Sequence, residues 1–218
     1  MLTTEPQFSE GCRDCPRLVA HLSAIRARYP DYHALPVAPF GDSLARLLIV
    51  GLAPGLHGAN RTGRPFTGDY AGLLLYETLH GFGFASQPVA SAADDGMRLT
   101  GCRITNAVKC LPPENKPRTD EVNRCNRFLR AELAALPSGA AILALGRIAH
   151  AATLKALGLA IGRFPFAHGA RYNLPGKRSL YVSYHCSRYN TQTRRLSAEM
   201  FRDVVGAIAK ELVALNSR

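Results

Sequence analysis

Four short runs of aliphatic and β-branched residues alternate along the chain with segments whose apolar residues recur at helical spacing. The runs predict buried strands at 46–51, 102–108, 140–146 and 180–184. The helical spacing predicts helices at 18–28, 71–79, 119–133, 148–157 and from Ser197 onward. Because helices connect parallel neighbours in a sheet, this order predicts an α/β fold with three layers (α/β/α) around a central four-stranded parallel sheet. The stretch 83–101 lacks periodicity and is interpreted as a connecting loop.

The length and composition favour one folded domain. The chain has 218 residues, of which 47% are hydrophobic and 20% charged, a balance that is ordinary for globular proteins and excludes general disorder. We therefore interpret 1–218 as a single domain. No apolar run approaches the roughly 18 residues of a membrane span, and Glu5 and Glu10 stand where a signal peptide would be apolar. We expect a cytoplasmic monomer that has no membrane partner.

The charge of the chain points to a polyanionic partner, with nucleic acid the foremost candidate. The 27 lysines and arginines exceed the 16 acidic residues, which gives a formal net charge of +11. Basic, aromatic and hydroxyl side chains that suit DNA phosphates follow the last predicted strand. They are Ser187, Arg188, Tyr189, Arg194 and Arg195.

Four of the six cysteines form two well-separated pairs that can converge on one metal centre. They are Cys12, Cys15, Cys110 and Cys125. Four thiolates suit zinc or an iron–sulfur cluster, and the uneven spacing of the second pair favours a [4Fe–4S] cluster over zinc. The alternative is a set of unrelated buried thiols, an interpretation that fits Cys102 and Cys186 better. Either metal would hold the N-terminal arm against the core.

Polar residues follow the predicted strands, where ligands bind in parallel α/β sheets. The glycine-rich loop 51–69 lets the backbone approach a phosphate or base closely, and Asp69 is its one carboxylate. Asp69 is either a helix cap or a general base that also stabilises a cationic transition state. Asn106 is either a turn residue or a group that reads the O4 and N3–H edge of uracil. His185 directly follows the last predicted strand, where it is either structural or functional.

Four motifs, which reach from residue 51 to residue 187, resemble those of the uracil-DNA glycosylase superfamily. They are Gly51-Leu-Ala-Pro-Gly55, Arg64-Pro-Phe-Thr-Gly-Asp69, Asn106-Ala-Val-Lys-Cys110-Leu-Pro-Pro-Glu-Asn115 and Tyr184-His185-x-Ser187. The cysteine pattern and the first motif are similar to those of the type B, or family five, iron–sulfur enzymes. Two positions depart from the superfamily: Leu52 stands where other families carry an acidic or amide residue, and Cys186 replaces a proline.

The resemblance implies excision of uracil, and of other deaminated or damaged bases, from DNA, with a [4Fe–4S] cluster on the four paired cysteines. It implies catalytic roles for Asp69 and His185. The residues expected to bind the base are Gly51, Ala53, Gly55, Phe66 and Asn106. Since no lysine is well placed as a Schiff-base nucleophile, we expect a monofunctional enzyme that leaves an abasic site. Two alternatives stay open: a non-catalytic, zinc-stapled nucleic-acid-binding module, and a hydrolase of free nucleotides.

Overall fold

A computed structural model describes residues 8–216, so residues 1–7 and 217–218 of the predicted domain, including Glu5, lie outside the described residues. The helices of the described part are α1 (Pro16–Arg28), α2 (Ala59–Thr62), α3 (Tyr70–Gly81), α4 (Thr119–Ala134), α5 (Arg147–Ala156), α6 (Arg188–Gln192) and α7 (Ala198–Asn216). The strands are β1 (Phe40–Gly41), β2 (Leu47–Gly51), β3 (Cys102–Asn106), β4 (Ala141–Leu145), β5 (Arg171–Leu174) and β6 (Arg178–Ser183). The predicted α/β class is confirmed.

The strands form one mixed sheet of six strands in the order β1-β3-β2-β4-β6-β5. Neighbours among β3, β2, β4 and β6 are parallel, whereas β1 and β5 pair antiparallel at the two edges. The prediction of a four-stranded sheet therefore missed both edge strands. Their sequences explain this, because β1 has only two residues and β5 is mostly polar and accessible, so neither forms a buried apolar run.

The two faces of the sheet pack against different helices, and β2 contributes to both. Leu47 and Ile49 join α3 and α7 on one face, while Leu48 and Val50 join α4 and α5 on the other. This division follows from the period of two in a strand, which sends successive side chains to opposite faces. Each such aliphatic side chain contributes about 1.5–3 kcal/mol when it is fully buried. Packing on both faces thereby fixes the position of β2 and of the loop that follows its carboxyl end.

The ends of two helices differ in how well the sequence predicts them. The backbone N–H of Met200 donates to the Ser197 hydroxyl at 3.0 Å, so Ser197 does precede α7 as a capping residue. The helix predicted at 119–133 does begin at Thr119, but its capping residue is Arg118, whose side chain is not a usual cap and whose N–H donates to Glu121. None of the helices in the described part of the chain combines the length and apolar character that crossing a bilayer requires.

Candidate active site and cysteine centre

A cavity of about 540 Å³ opens at the carboxyl ends of the parallel strands. The sequence-predicted residues that line it are Ala53, Gly55, Phe66, Asp69, Asn106, His185, Ser187 and Arg188. Parallel strands bring these loops together because their carboxyl ends meet at one edge of the sheet. The structure thus gathers the carboxylate, the amide and the imidazole around one space.

Asp69 both caps α3 and faces this pocket. Its Oδ1 accepts a hydrogen bond from the Gly72 N–H at 2.9 Å, as a capping carboxylate does. Burial raises the pKa of Asp69, although N–H groups of Gly72 and Ala71 oppose the shift. A Cβ at Gly58 would overlap the carboxylate, so the absence of a side chain there lets the loop pass close to it. Capping orients Asp69, and burial raises its proton affinity.

Asn106 carries an unpaired acceptor in the wall of the pocket. It ends β3, is only 3% exposed, and its Oδ1 has no hydrogen-bond partner among the described residues. Leaving a buried amide oxygen unpaired costs about 1–3 kcal/mol, which a ligand N–H would recover. Gly51, opposite Asn106 in the sheet register, does not line the pocket; a Cβ there would overlap both Asn106 and Phe66.

Phe66 and His185 present stacked rings to the pocket. Their centroids lie 5.7 Å apart with 26° between the planes. Burial lowers the pKa of His185 to about 4, so the imidazole is neutral at neutral pH. A neutral imidazole can still donate one N–H, which makes His185 a hydrogen-bond donor rather than a source of positive charge.

The predicted DNA-binding segment only partly reaches the pocket. Ser187 caps the short helix α6, and Arg188 begins it at the pocket rim. Three predicted residues are exposed and do not line the pocket: Tyr189, Arg194 and Arg195. The Arg195 guanidinium lies 4.7 Å from the ring centroid of Tyr184.

Among the lining residues that the reasoning from sequence missed, four are exposed to solvent. They are Tyr70, Asn115, Arg147 and Ile148. Arg147 and Ile148 begin α5 directly behind β4, so the rule about strand ends already pointed to them. Asn115 lies further along the chain, and it returns to the pocket through a turn in which Glu114 and Asn115 both adopt positive φ. The adjacent prolines, Pro112 and Pro113, were the available signal for that turn.

The four paired cysteines line one cavity between α1, α4 and the segment after β3. Burial and, to a lesser extent, the neighbouring cysteines together raise the pKa of Cys110 to about 12 and that of Cys125 to about 11, the latter against the opposing effect of Lys109. Such thiols ionise together only around a cationic centre, so the donor set fits a thiolate-bound metal. Within residues 8–216, no three candidate ligand side chains are arranged to hold a single ion. The fit therefore rests on the shared cavity and on the chemistry of the sulfurs.

The other two cysteines are buried in the core that packs against α3 and α7. Cys102 and Cys186 are both 0% exposed, and neither lines the cavity of the paired cysteines. Burial raises the pKa of both thiols, which keeps them protonated. The interpretation of these two as buried core thiols fits this placement.

Comparison with known proteins identifies the family. Residues 38–209 match the family model described as the uracil DNA glycosylase superfamily. The type-5 uracil-DNA glycosylase of Thermus thermophilus is 50% identical over 214 residues, which cover 96% of this chain and 97% of that protein. The type-5 uracil-DNA glycosylase of Pyrobaculum aerophilum is 42% identical, with 92% and 89% covered.

The type-4 branch is more distant. The type-4 uracil-DNA glycosylase of Saccharolobus solfataricus is 28% identical over 183 residues, which cover 81% of this chain and 78% of that protein. The resemblance that the motifs predict is thus confirmed over most of the chain. The chain belongs to the uracil-DNA glycosylase superfamily.

Proposed function

We propose that this protein is a DNA repair glycosylase that turns uracil out of DNA and hydrolyses its N-glycosidic bond, leaving an abasic site. The observation that carries the proposal is the convergence of Asp69, Asn106 and His185 on one pocket. Relatives with the same named activity cover nearly the whole chain, which supports catalysis over a non-catalytic binding module.

Recognition starts with extrusion of the nucleotide, because a duplex hides the glycosidic bond. Extrusion costs a few kcal/mol and least for a mispaired base, so mismatched uracil is favoured before any chemistry. Phe66 stacks on the extruded base, a contact worth roughly 1–3 kcal/mol. The unpaired Oδ1 of Asn106 accepts from uracil N3–H while its amide N–H donates to O4. Cytosine presents an acceptor and a donor at these positions, so it is refused.

Cleavage separates charge, and we assign one of the two catalytic residues to each of the developing charges. The glycosidic electron pair leaves with the base, and the neutral His185 donates a hydrogen bond to the developing anion at O2. The sugar becomes cationic, and the Asp69 carboxylate stabilises it. Asp69 then accepts a proton from the water that adds to the sugar. Asn115 gives the pocket a second polar group that can orient this water.

The absence of a suitable amine favours a monofunctional enzyme. None of the described residues that line the pocket is a lysine. Lys109, which follows Asn106 by three positions, is only 2% exposed and donates to Thr105 and Glu132. It is therefore held by an ion pair instead of attacking the sugar.

DNA is held at the rim by the basic segment after β6. We assign phosphate contacts to Ser187, Arg188, Arg194 and Arg195, with Tyr189 or Arg188 filling the gap in the base stack. The Tyr189 side chain is 71% exposed and so is accessible to DNA. Gly51, Ala53 and Gly55 provide the loop that approaches the pyrimidine carbonyl. We further propose that residues 1–218 act as a single domain, as a monomer in the cytoplasm.

We assign a [4Fe–4S] cluster to the four paired cysteines, with zinc as the alternative. When bound, the cluster supplies a covalent cross-link between the N-terminal arm and the core. Two contacts to the sulfur atoms support this assignment. The Arg127 guanidinium lies 4.0 Å from Cys12 Sγ, and the backbone N–H of Lys109 donates to Cys125 Sγ at 3.3 Å. Iron analysis and the visible absorption of the purified protein separate the two metals, since zinc is colourless.

The decisive experiment is single-turnover excision by the purified protein on duplex and single-stranded DNA with one uracil, scored as alkali-labile breaks. Uracil-containing DNA should be broken, and matched thymine-containing DNA should not. Hypoxanthine and etheno-cytosine in the same sequence measure the breadth of the pocket. Tight binding to DNA without breaks in any substrate would overturn the proposal in favour of a binding module.

A further inference from the structure

The pocket loop of residues 64–69 holds a conformation that its own sequence does not favour. Phe66 is a buried aromatic residue at φ 54°, in the left-handed region that a non-glycine side chain rarely adopts. The loop carries both the ring that faces the base and, at its end, Asp69. Something outside the loop must hold it in place.

Arg64, the first residue of this loop, connects the loop to residues outside it, behind the pocket. Its side chain is 5% exposed and does not line the cavity. Its Nε donates to Thr67 Oγ1 at 2.8 Å, and Thr67 in turn donates to the Pro65 carbonyl at 3.2 Å. The guanidinium also lies 4.8 Å from the ring centroid of Phe40. Arg64 therefore ties together the residues on both sides of Phe66.

Asp95 is the carboxylate that fixes Arg64. Its Oδ2 accepts from Arg64 Nη2 at 2.7 Å. Its two oxygens also accept from the N–H groups of Ser91, Ala92 and Met97. Burial favours the protonated form of Asp95, but the bonds from Arg64 and these N–H groups outweigh it and hold the pKa at about 2. Asp95 is thus ionised at neutral pH, and four hydrogen bonds fix the position of its carboxylate.

The segment that contains Asp95, residues 83–101, makes two more contacts with the loop, one near each end. The Gly68 N–H donates to the Ala90 carbonyl at 3.0 Å, and Arg64 Nη1 donates to the Ala93 carbonyl at 3.3 Å. The stretch that the sequence presents as a plain connection, 83–101, therefore braces the loop at two points.

We propose that Asp95 is a positioning residue for base excision: through Arg64 it holds Phe66 and Asp69 in their places on the pocket wall. This inference rests on the proposed function. Asp95 does not line the pocket and takes no part in bond cleavage.

The test is Asp95→Asn, which keeps the size of the side chain but removes its charge. Single-turnover excision of uracil should fall about 10- to 100-fold, as expected when reacting groups shift by up to an ångström. The Kd for uracil-containing DNA should change less than about threefold, because the exposed rim contacts remain. Asp95→Glu should recover part of the rate.

Two variants provide the controls. Asp94→Asn alters an exposed neighbour and should leave the rate unchanged. Glu211→Gln breaks an ion pair with Arg171 outside the pocket, so we expect it to lower the stability of the fold without touching the loop. The two variants are compared at conditions where both have lost the same amount in Tm. If Glu211→Gln then slows excision as much as Asp95→Asn does, the effect is one of general stability and the proposal is wrong.

A second readout does not depend on excision. Amide hydrogen exchange should become at least about tenfold faster in Asp95→Asn than in Asp94→Asn at Gly68, a donor in the loop, and at Gly72, which donates to Asp69 from the first turn of α3. Unchanged exchange would overturn the proposal even if the wild type proved inactive on uracil. Wild-type excision together with an unimpaired Asp95→Asn enzyme would overturn it while leaving the proposed function intact.

Discussion

Two loops meet at the pocket, and they are built in opposite ways. In the loop after β2, Arg64 and Phe66 are almost fully buried, and Asp69 is hydrogen-bonded to the start of α3. In the segment after β6, Arg188 and Tyr189 are exposed and lie on a helix of only five residues. One loop is held by the core, whereas the other faces solvent.

The contrast follows from what each loop must contact. Groups that stabilise a transition state work best when they are fixed and desolvated before the substrate arrives, because no reorganisation is then needed during the reaction. Contacts to phosphates instead require accessible cations that can follow a long charged backbone. Buried placement has a cost, seen in the positive φ of Phe66 and the unpaired Oδ1 of Asn106. No such cost is needed for an exposed arginine.

Asp69→Asn tests the buried loop most directly and should give the largest effect. Asparagine is also a good helix cap, so α3 and the fold should persist. Loss of the carboxylate should lower single-turnover excision about 1,000-fold, within the range for general acid–base groups. The Kd for uracil-containing DNA should barely change. A variant that excises at the wild-type rate would remove Asp69 from the chemistry and leave it only as a cap.

Gly58→Ala should shift the same carboxylate without removing it. A Cβ at this position would overlap the Asp69 side chain, so the loop or the carboxylate must move. We expect about a 100-fold slower excision, which is the cost of misplacing a reacting group by about an ångström. Gly81→Ala is the matched control, since a Cβ there meets nothing within 4 Å. Equal rates for the two variants would mean that Asp69 tolerates displacement.

Asn106→Asp should impair recognition of the base more than it impairs binding to DNA. A carboxylate keeps the acceptor for N3–H but loses the donor for O4 and repels the anionic leaving base. The expected loss of excision is about 10- to 100-fold, equivalent to about 1–3 kcal/mol of base discrimination. The ratio of kcat/KM for the variant and the wild type on the same uracil-containing DNA measures this loss, and the Kd for that DNA is measured beside it. An unchanged kcat/KM would show that the base edge is read elsewhere.

The sequence predicted the buried parts of the molecule better than the accessible ones. The four predicted apolar runs correspond to β2, β3, β4 and β6, because a strand buried on both faces must be apolar throughout. The edge strands were missed because their pairing depends on a neighbour and not on their own pattern. The apolar stripe predicted at 71–79 lies within α3, which spans Tyr70–Gly81.

The candidate site was predictable where a residue ends a strand or belongs to the loop that follows one. Asp69, Asn106 and His185 come together because topology alone places strand ends side by side. Asn115 and Asp95 were not found, since each reaches its place through turns whose path depends on φ values and distant hydrogen bonds. Motif spacing carries no information about such returns.

Arg188→Ala tests the exposed loop and should give the smallest effect. Removing one phosphate contact should lower the slope of log K against log salt by about one and weaken binding to all sequences alike. The excision rate at saturating enzyme should stay within about twofold of the wild type, because the groups that stabilise the charges of cleavage are untouched. Arg163→Ala, an exposed arginine outside the pocket lining, is the control and should leave the slope unchanged. If Arg188→Ala instead slowed the chemical step as much as Gly58→Ala, the exposed segment would share in catalysis, and the division of labour between the two loops would fail.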